Sequence, residues 1–227
     1  ILLAAATWIK VWPAALLAAA VVALRRRLVV LGAAAATSAV VLGAIAVLGG
    51  ASHAFGFVAG QTARGLQIEA PVSGWFLWQV VTGSADAAIV YDRDILTFQV
   101  QGPGVDAISA AMTPLLVLVA GAVVILGAVK MWRGASFAAL FPPLSLALVL
   151  TLIVVNKVGS PQFLAWLIAP LVLWLVVGSV PAAFSGALII SAIGPMEEVN
   201  NFVKTALGVV LLIAAALLIV RAYIAMR

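Results

Sequence analysis

Runs of about 20 apolar residues recur along this chain, and no other feature constrains its fold as strongly. A helix rises roughly 1.5 Å per residue, so about 20 residues cross a hydrocarbon core of roughly 30 Å. Such runs occupy positions 1–24, 28–48, 110–129, 137–155, 163–177, 181–193 and 205–223. The fifth and sixth are short and separated only by Gly178-Ser179-Val180, so they are two spans with a tight turn or one broken hairpin. About seven spans are expected, with six or eight as the alternatives. A soluble fold fails on composition. With 66% hydrophobic and 8% charged residues and a mean hydropathy of +1.29, too few polar groups remain to cover a soluble surface. The expected class is an all-α polytopic membrane protein, a single transmembrane domain over residues 1–227.

Orientation follows from the basic loops, which favour the cytoplasmic side. With seven spans, Arg25-Arg26-Arg27, Lys130 with Arg133, and Arg221 with Arg227 all fall on one side. The opposite, extracytoplasmic side then receives Glu69, Asp86, Asp92, Asp94, Asp106, Glu197 and Glu198, which are all seven acids of the chain. A count wrong by one span would scramble this segregation. The net charge of +5 is scattered over helix ends, which gives no basic patch for nucleic acid. The absence of cysteine removes thiolate and disulfide chemistry, and a single histidine, His53, argues against multi-histidine metal sites and a Ser/His/Asp triad. No metal or cofactor is expected. The chain opens on Ile1-Leu2-Leu3, inside an apolar run, so it is expected to be trimmed or the carboxyl-terminal part of a longer polypeptide.

The extracytoplasmic loop at 49–109 is not uniform. Residues 73–81 read as a short interfacial helix, with Trp75 and Trp78 suited to the headgroup layer. From 86 to 101 the period changes to two: Leu96, Phe98 and Val100 alternate with Thr97, Gln99 and Gln101, and Asp92-Arg93-Asp94 resembles a turn. That pattern predicts a small β-hairpin.

Candidate chemistry concentrates in three places. Lys10 lies inside the first apolar run, about 22 Å above Arg25 and near the outer third of the bilayer. It either snorkels to the outer interface or lines a cavity that receives an anionic lipid headgroup. Asn156-Lys157-Val158-Gly159-Ser160-Pro161-Gln162 is a compact polar connector, either an ordinary loop or irregular backbone that lines a cavity. Arg64, Gln67 and Glu69 offer a guanidinium fork, an amide and a carboxylate within six residues. Such groups bind phosphate and orient hydroxyls, although Arg64 with Glu69 alone reads as a surface ion pair. Glu197-Glu198 reads as the start of the last helix, Asp92 and Asp94 as turn residues, and His53 as an interfacial histidine with no expected partner.

Three segments together resemble bacterial polyprenol-phosphate-mannose-dependent mannosyltransferases of the actinobacterial type. Ile9-Lys10-Val11-Trp12-Pro13, followed by Arg25-Arg26-Arg27, is similar to a span of that family with a lysine, an aromatic and a proline ahead of a basic end. Arg64-Gly65-Leu66-Gln67-Ile68-Glu69 is similar to its outer-loop motif, and Lys157 to Phe163 to its lysine-SPQ-aromatic turn. The likeness covers about residues 5–170. It implies the GT-C membrane fold and transfer of a mannosyl unit from a polyprenyl-phosphate sugar donor to a lipid or glycan acceptor on the extracytoplasmic face of the bacterial plasma membrane. Lys10, Arg64, Gln67, Glu69, Lys157, Ser160 and Gln162 would then bind substrate, with Lys10 near the donor phosphate. The family commonly has serine where this chain has Ala70, and often histidine where it has Gln61. The acidic base of such enzymes lies in the first outer loop, upstream of the matched part, so no catalytic residue is assigned here. A small-solute or lipid transporter is the alternative, since a polar Gly/Pro break also builds transporter sites. A non-catalytic membrane scaffold is a third reading.

Overall fold

The computed structural model describes residues 1–56, 60, 64–84 and 86–177. The expected spans at 181–193 and 205–223, with Glu197, Glu198, Arg221 and Arg227, lie outside the described residues. Within them the protein is mostly helical, with one small antiparallel sheet. Three helices are long and apolar enough to cross a membrane: α3 (Arg27–Val47), α5 (Val105–Trp132) and α6 (Phe137–Val154). They match the expected runs at 28–48, 110–129 and 137–155.

The first apolar run is not one continuous helix. It divides into α1 (Leu2–Ile9) and α2 (Pro13–Ala23), with Lys10 extended at φ −149° and ψ 140° between them. Pro13 is the cause. Its ring would collide with the carbonyl of Ile9 and it has no N–H to donate, whereas at the first position of a new helix both features are harmless. The fifth run is also corrected. Residues Pro161–Leu167 form a 3₁₀ helix, and only then does α7 (Ile168–Val177) begin. Pro170 cannot donate to the carbonyl of Trp166, which holds back regular α-helical bonding until just before it.

At the centre lies α6, started by Ser136, whose hydroxyl accepts the Ala139 N–H at 3.3 Å. One face of α2 presents Ala15, Ala19 and Ala23 to the α6 side chains Leu140, Leu144, Leu148 and Val149. Small residues at four-residue spacing let two helix backbones approach, and close packing rather than water exclusion then holds helices together in lipid. Gly127 of α5 meets the same layer: an added Cβ there would lie 2.7 Å from a Leu144 methyl and 3.3 Å from one of Val22. By contrast α3 buries none of its residues. It is held at α1, where Trp8 Nε1 donates to Ser38 Oγ at 3.0 Å.

The expected hairpin and the short helix expected at 73–81 are both present. Strands β1 (Ala88–Asp92) and β2 (Thr97–Gln101) pair antiparallel, with Ala88 opposite Gln101 and Tyr91 opposite Phe98. The turn is tied by Asp92, whose Oδ1 accepts the N–H groups of Asp94 and Ile95 at 3.0 and 3.3 Å. A 3₁₀ turn at Pro71–Ser73 leads into α4 (Gly74–Val81), which exposes Trp75 and Trp78 and buries Phe76. Leu66, Ala70, Phe76, Val100 and Val105 form the core of this lobe, separate from the helix-bundle core. Val105 explains why α5 starts before position 110. At 28 residues α5 measures about 42 Å, longer than the hydrocarbon needs, and its first turn is built into the lobe.

Because Gly127 packs on Val22, the α2–α3 corner and the end of α5 lie together. Arg25, Arg26, Arg27, Lys130 and Arg133 therefore gather at one end of the bundle. All the described acids, Glu69, Asp86, Asp92, Asp94 and Asp106, belong to the lobe or to the first turn of α5 at the other end. The chain has no cysteine, so single cysteines report cleanly. With a membrane-impermeant maleimide on intact cells, Asp94→Cys is expected to label and Lys130→Cys to stay dark. Labelling of both from outside overturns the arrangement.

Candidate functional site

The polar groups at the lobe end are positioned by backbone pairing. Residues 64–69 run beside β2: Leu66 C=O accepts the Val100 N–H at 3.0 Å, and Ile68 N–H donates to Phe98 C=O at 3.2 Å. Gln67 bridges to Gln99 within this pairing. A Cβ added at Gly65 would meet the Gln99 side-chain amide, which would have to turn away. Gln99 is itself held by Asp92, whose Oδ2 accepts from its amide at 2.9 Å. The hairpin thus braces the 64–69 segment.

Gln67 joins this brace to the connector after α6. It is buried, its N–H donates to Lys157 C=O at 3.0 Å, and its Oε1 accepts the Gly159 N–H at 3.1 Å. The side-chain oxygen of this amide is engaged in holding the turn. The turn is shaped from its other side by Asn156, whose Nδ2 donates to Leu152 C=O and whose Oδ1 accepts the Val158 N–H. Gly159 presses directly on the lobe: a Cβ there would meet the backbone of Glu69 and Ala70. Lys157 is buried as well, and burial pushes its ammonium below the ordinary lysine range.

A second group forms around the break in the first run. Lys10 Nζ donates to Gln162 Oε1 at 2.9 Å, across 152 positions of sequence. This pair is exposed. Beside it Trp12 stacks on Trp166 at 6.0 Å and 14°, and Trp166 stacks on Phe163 at 3.9 Å and 28°. Side chains at i and i+3 eclipse in a 3₁₀ helix, which is why Phe163 and Trp166 lie face to face. Sequence reasoning passed over this aromatic stack. Its signal was present, since Trp12 lies two residues from Lys10 and Phe163 directly after Gln162.

Between the two groups is a small cleft lined by Glu69, Pro71, Gly159, Ser160, Phe163 and Leu164, with Ile153 beneath. Its free volume of about 10 Å³ matches roughly one water or one hydroxyl, so a larger ligand must sit over its mouth. Among the described residues Glu69 Oε2 and Arg64 Nε are buried without a hydrogen-bond partner. The expected surface ion pair between Arg64 and Glu69 does not form through these atoms. The structure brings Lys10 to Gln162, and Gln67 to Lys157, Gly159 and Glu69, with Ser160 linking the two groups. Arg64 joins them only through the chain. Elsewhere, His53 has the partner it was not expected to have, with Ser52 Oγ 2.9 Å from its Nδ1.

Comparison with protein-family models, curated proteins and solved structures found no match to this chain.

The contact between Gly159 and the Glu69 backbone is expected to tolerate no side chain. Gly159→Ala should cost about 2–3 kcal/mol, because backbone cannot yield as a side-chain tip does. Gly121→Ala, in α5 with open space around it, should be neutral or slightly stabilising. Thermal unfolding of the two variants in one detergent checks this, and equal midpoints would remove the close approach from the account.

Proposed function

We propose that this protein is a membrane glycosyltransferase that moves a mannosyl or other hexosyl unit from a polyprenyl-phosphate donor to a lipid or glycan acceptor. The lobe end faces the extracytoplasmic side of a bacterial plasma membrane, the chain crosses that membrane several times, and the basic end is cytoplasmic. One observation carries the reading. Lys10 and Gln162, from two of the three segments that resemble the mannosyltransferases, meet in a hydrogen bond next to the third segment, 64–69.

The residues divide the work as follows. An acceptor hydroxyl attacks the anomeric carbon as the bond from that carbon to the phosphate oxygen breaks, and the phosphate departs with the electron pair. Negative charge grows on the phosphate during this step. Cations fixed in a partly desolvated site stabilise it more than they stabilise the ground state. Lys10 supplies that charge at the membrane surface, with Gln162 fixing its direction. Lys157 supplies it from the lobe side, where burial strengthens every charge interaction, and Arg64 would add to it from the adjoining 64–69 segment. Gln67 keeps the Lys157 turn in place. The group that removes the acceptor proton is not assigned to any described residue.

The break between α1 and α2 gives the transporter reading an observation of its own, because discontinuous helices also build transporter sites. One pair of assays separates the two. The complete gene product in membranes is supplied with radiolabelled polyprenyl-phosphate mannose and a lipid acceptor extract. Transfer is expected, and Lys10→Met or the double variant Arg64→Ala with Lys157→Ala should lower it by about 100-fold or more. Transfer that survives the double variant sinks the assigned site. Solute uptake into proteoliposomes without any transfer replaces the proposal with a permease.

A further inference from the structure

We infer that the cleft framed by Glu69 and Ser160 is a hydroxyl-recognition subsite for a sugar ring that sits against Phe163. The choice of ligand rests on the glycosyl-transfer reading, while the subsite itself rests on four features of the structure.

The first is Glu69 Oε2, a carboxylate oxygen buried with no hydrogen-bond partner among the described residues. A buried acceptor left unpaired is costly, and a ligand hydroxyl or a water in the cleft would complete it. The second is that the backbone carrying Glu69 has no freedom to retreat. Its carbonyl and the Ala70 nitrogen are pressed by Gly159, and the segment is fixed by the Gln67 bonds on one side and by β2 on the other. The third is the pairing of functional groups at the cleft. A sugar hydroxyl is both donor and acceptor, so one hydroxyl can donate to the Glu69 carboxylate and accept from the Ser160 hydroxyl. The free volume of about 10 Å³ suits that single group.

The fourth feature is the surroundings. Phe163 lines the same cleft and stacks on Trp166, which stacks on Trp12, two residues from Lys10. The C–H face of a pyranose packs on the electron-rich face of such rings. Ser160 and Gln162 are two residues apart, at most about 7 Å, which is roughly the width of one hexose. A ring with one hydroxyl in the cleft therefore lies within reach of the Gln162–Lys10 pair. A glycosyl phosphate whose hydroxyl is held at Glu69 can then meet Lys10 with its phosphate.

The full chain in nanodiscs is titrated with methyl α-mannopyranoside, which carries no phosphate and no lipid, with tryptophan fluorescence as the readout. Saturable binding is expected. Glu69→Gln, which keeps the shape, should weaken it by about tenfold, and Ser160→Ala by a smaller factor. Because Glu69 Oε2 is buried without a hydrogen-bond partner in the ligand-free protein, Glu69→Gln should leave the thermal midpoint unchanged or raise it, which a purely structural carboxylate would not do. Sugar binding that is equal in wild type and Glu69→Gln, or the absence of saturable binding in wild type, overturns the subsite, and the cleft then holds an ordered water only. A lowered midpoint in Glu69→Gln with unchanged sugar affinity also overturns it. The outcomes separate this inference from the transferase reading. Sugar binding that depends on Glu69, in a protein that transfers nothing from polyprenyl-phosphate mannose, keeps the subsite and removes the reaction. Transfer undiminished in Glu69→Gln does the reverse.

Discussion

A proline ring at position 13 cannot share a helix with the carbonyl of Ile9, and the rest of the site depends on that collision. Without it the first 24 residues would be one apolar rod, and Lys10 would point wherever the helix screw carried it. With it, Lys10 is extended and its ammonium reaches Gln162, while Trp12 turns onto Trp166. The lower piece, α2, keeps its alanine face for α6 undisturbed. The break therefore lets one apolar segment do two incompatible things, pack against a neighbouring helix along its length and deliver a cation to a polar site.

The lobe and the helix bundle have separate apolar cores, so their relative position cannot come from one shared core. It comes from α5, which runs from one into the other, and from a small set of polar contacts around Gln67 and Gly159. Each such hydrogen bond contributes only about 1 kcal/mol net, yet breaking one strands a buried partner and costs more than that. Placement by a few buried bonds is more specific than placement by apolar contact, because a one-residue slip leaves every one of them unmade.

What was legible in the amino-acid order divides along the same physical lines. Helices α3, α5 and α6 were legible because a long apolar run has few alternatives in lipid. The hairpin was legible because a period of two over Leu96–Gln101 is incompatible with a helix, and Asp92 supplied the turn. The α1–α2 break was not read, since a window of hydropathy averages over Pro13 as if it were any apolar residue. The delayed start of α7 has the same origin in Pro170. At the site, residue types located Lys10, Arg64–Glu69 and Lys157–Gln162 but did not reveal direction. Gln67 stands out in the sequence as polar, but nothing there says that it is buried with its oxygen accepting the Gly159 N–H. The Phe163–Trp166 stack was missed because 3₁₀ and α-helix place i and i+3 differently, and sequence alone suggested only helix.

The two halves of the site are held in unlike ways, and that difference bears on how a ligand would be received. The Gln67–Lys157–Gly159 half is buried, made mostly of backbone groups and braced by the hairpin through Gln99 and Asp92. It is largely shielded from water, so it presents a fixed geometry. The Lys10–Gln162 half is one exposed bond between two long side chains, and such bonds contribute little to stability. An anion arriving at Lys10 has only a neutral amide oxygen to displace, and it gains a full charge interaction in exchange. A rigid half fixes where a ligand is bound, and an exchangeable half lets it in without unfolding anything. That division suits a substrate that enters from the membrane surface with its charged group leading.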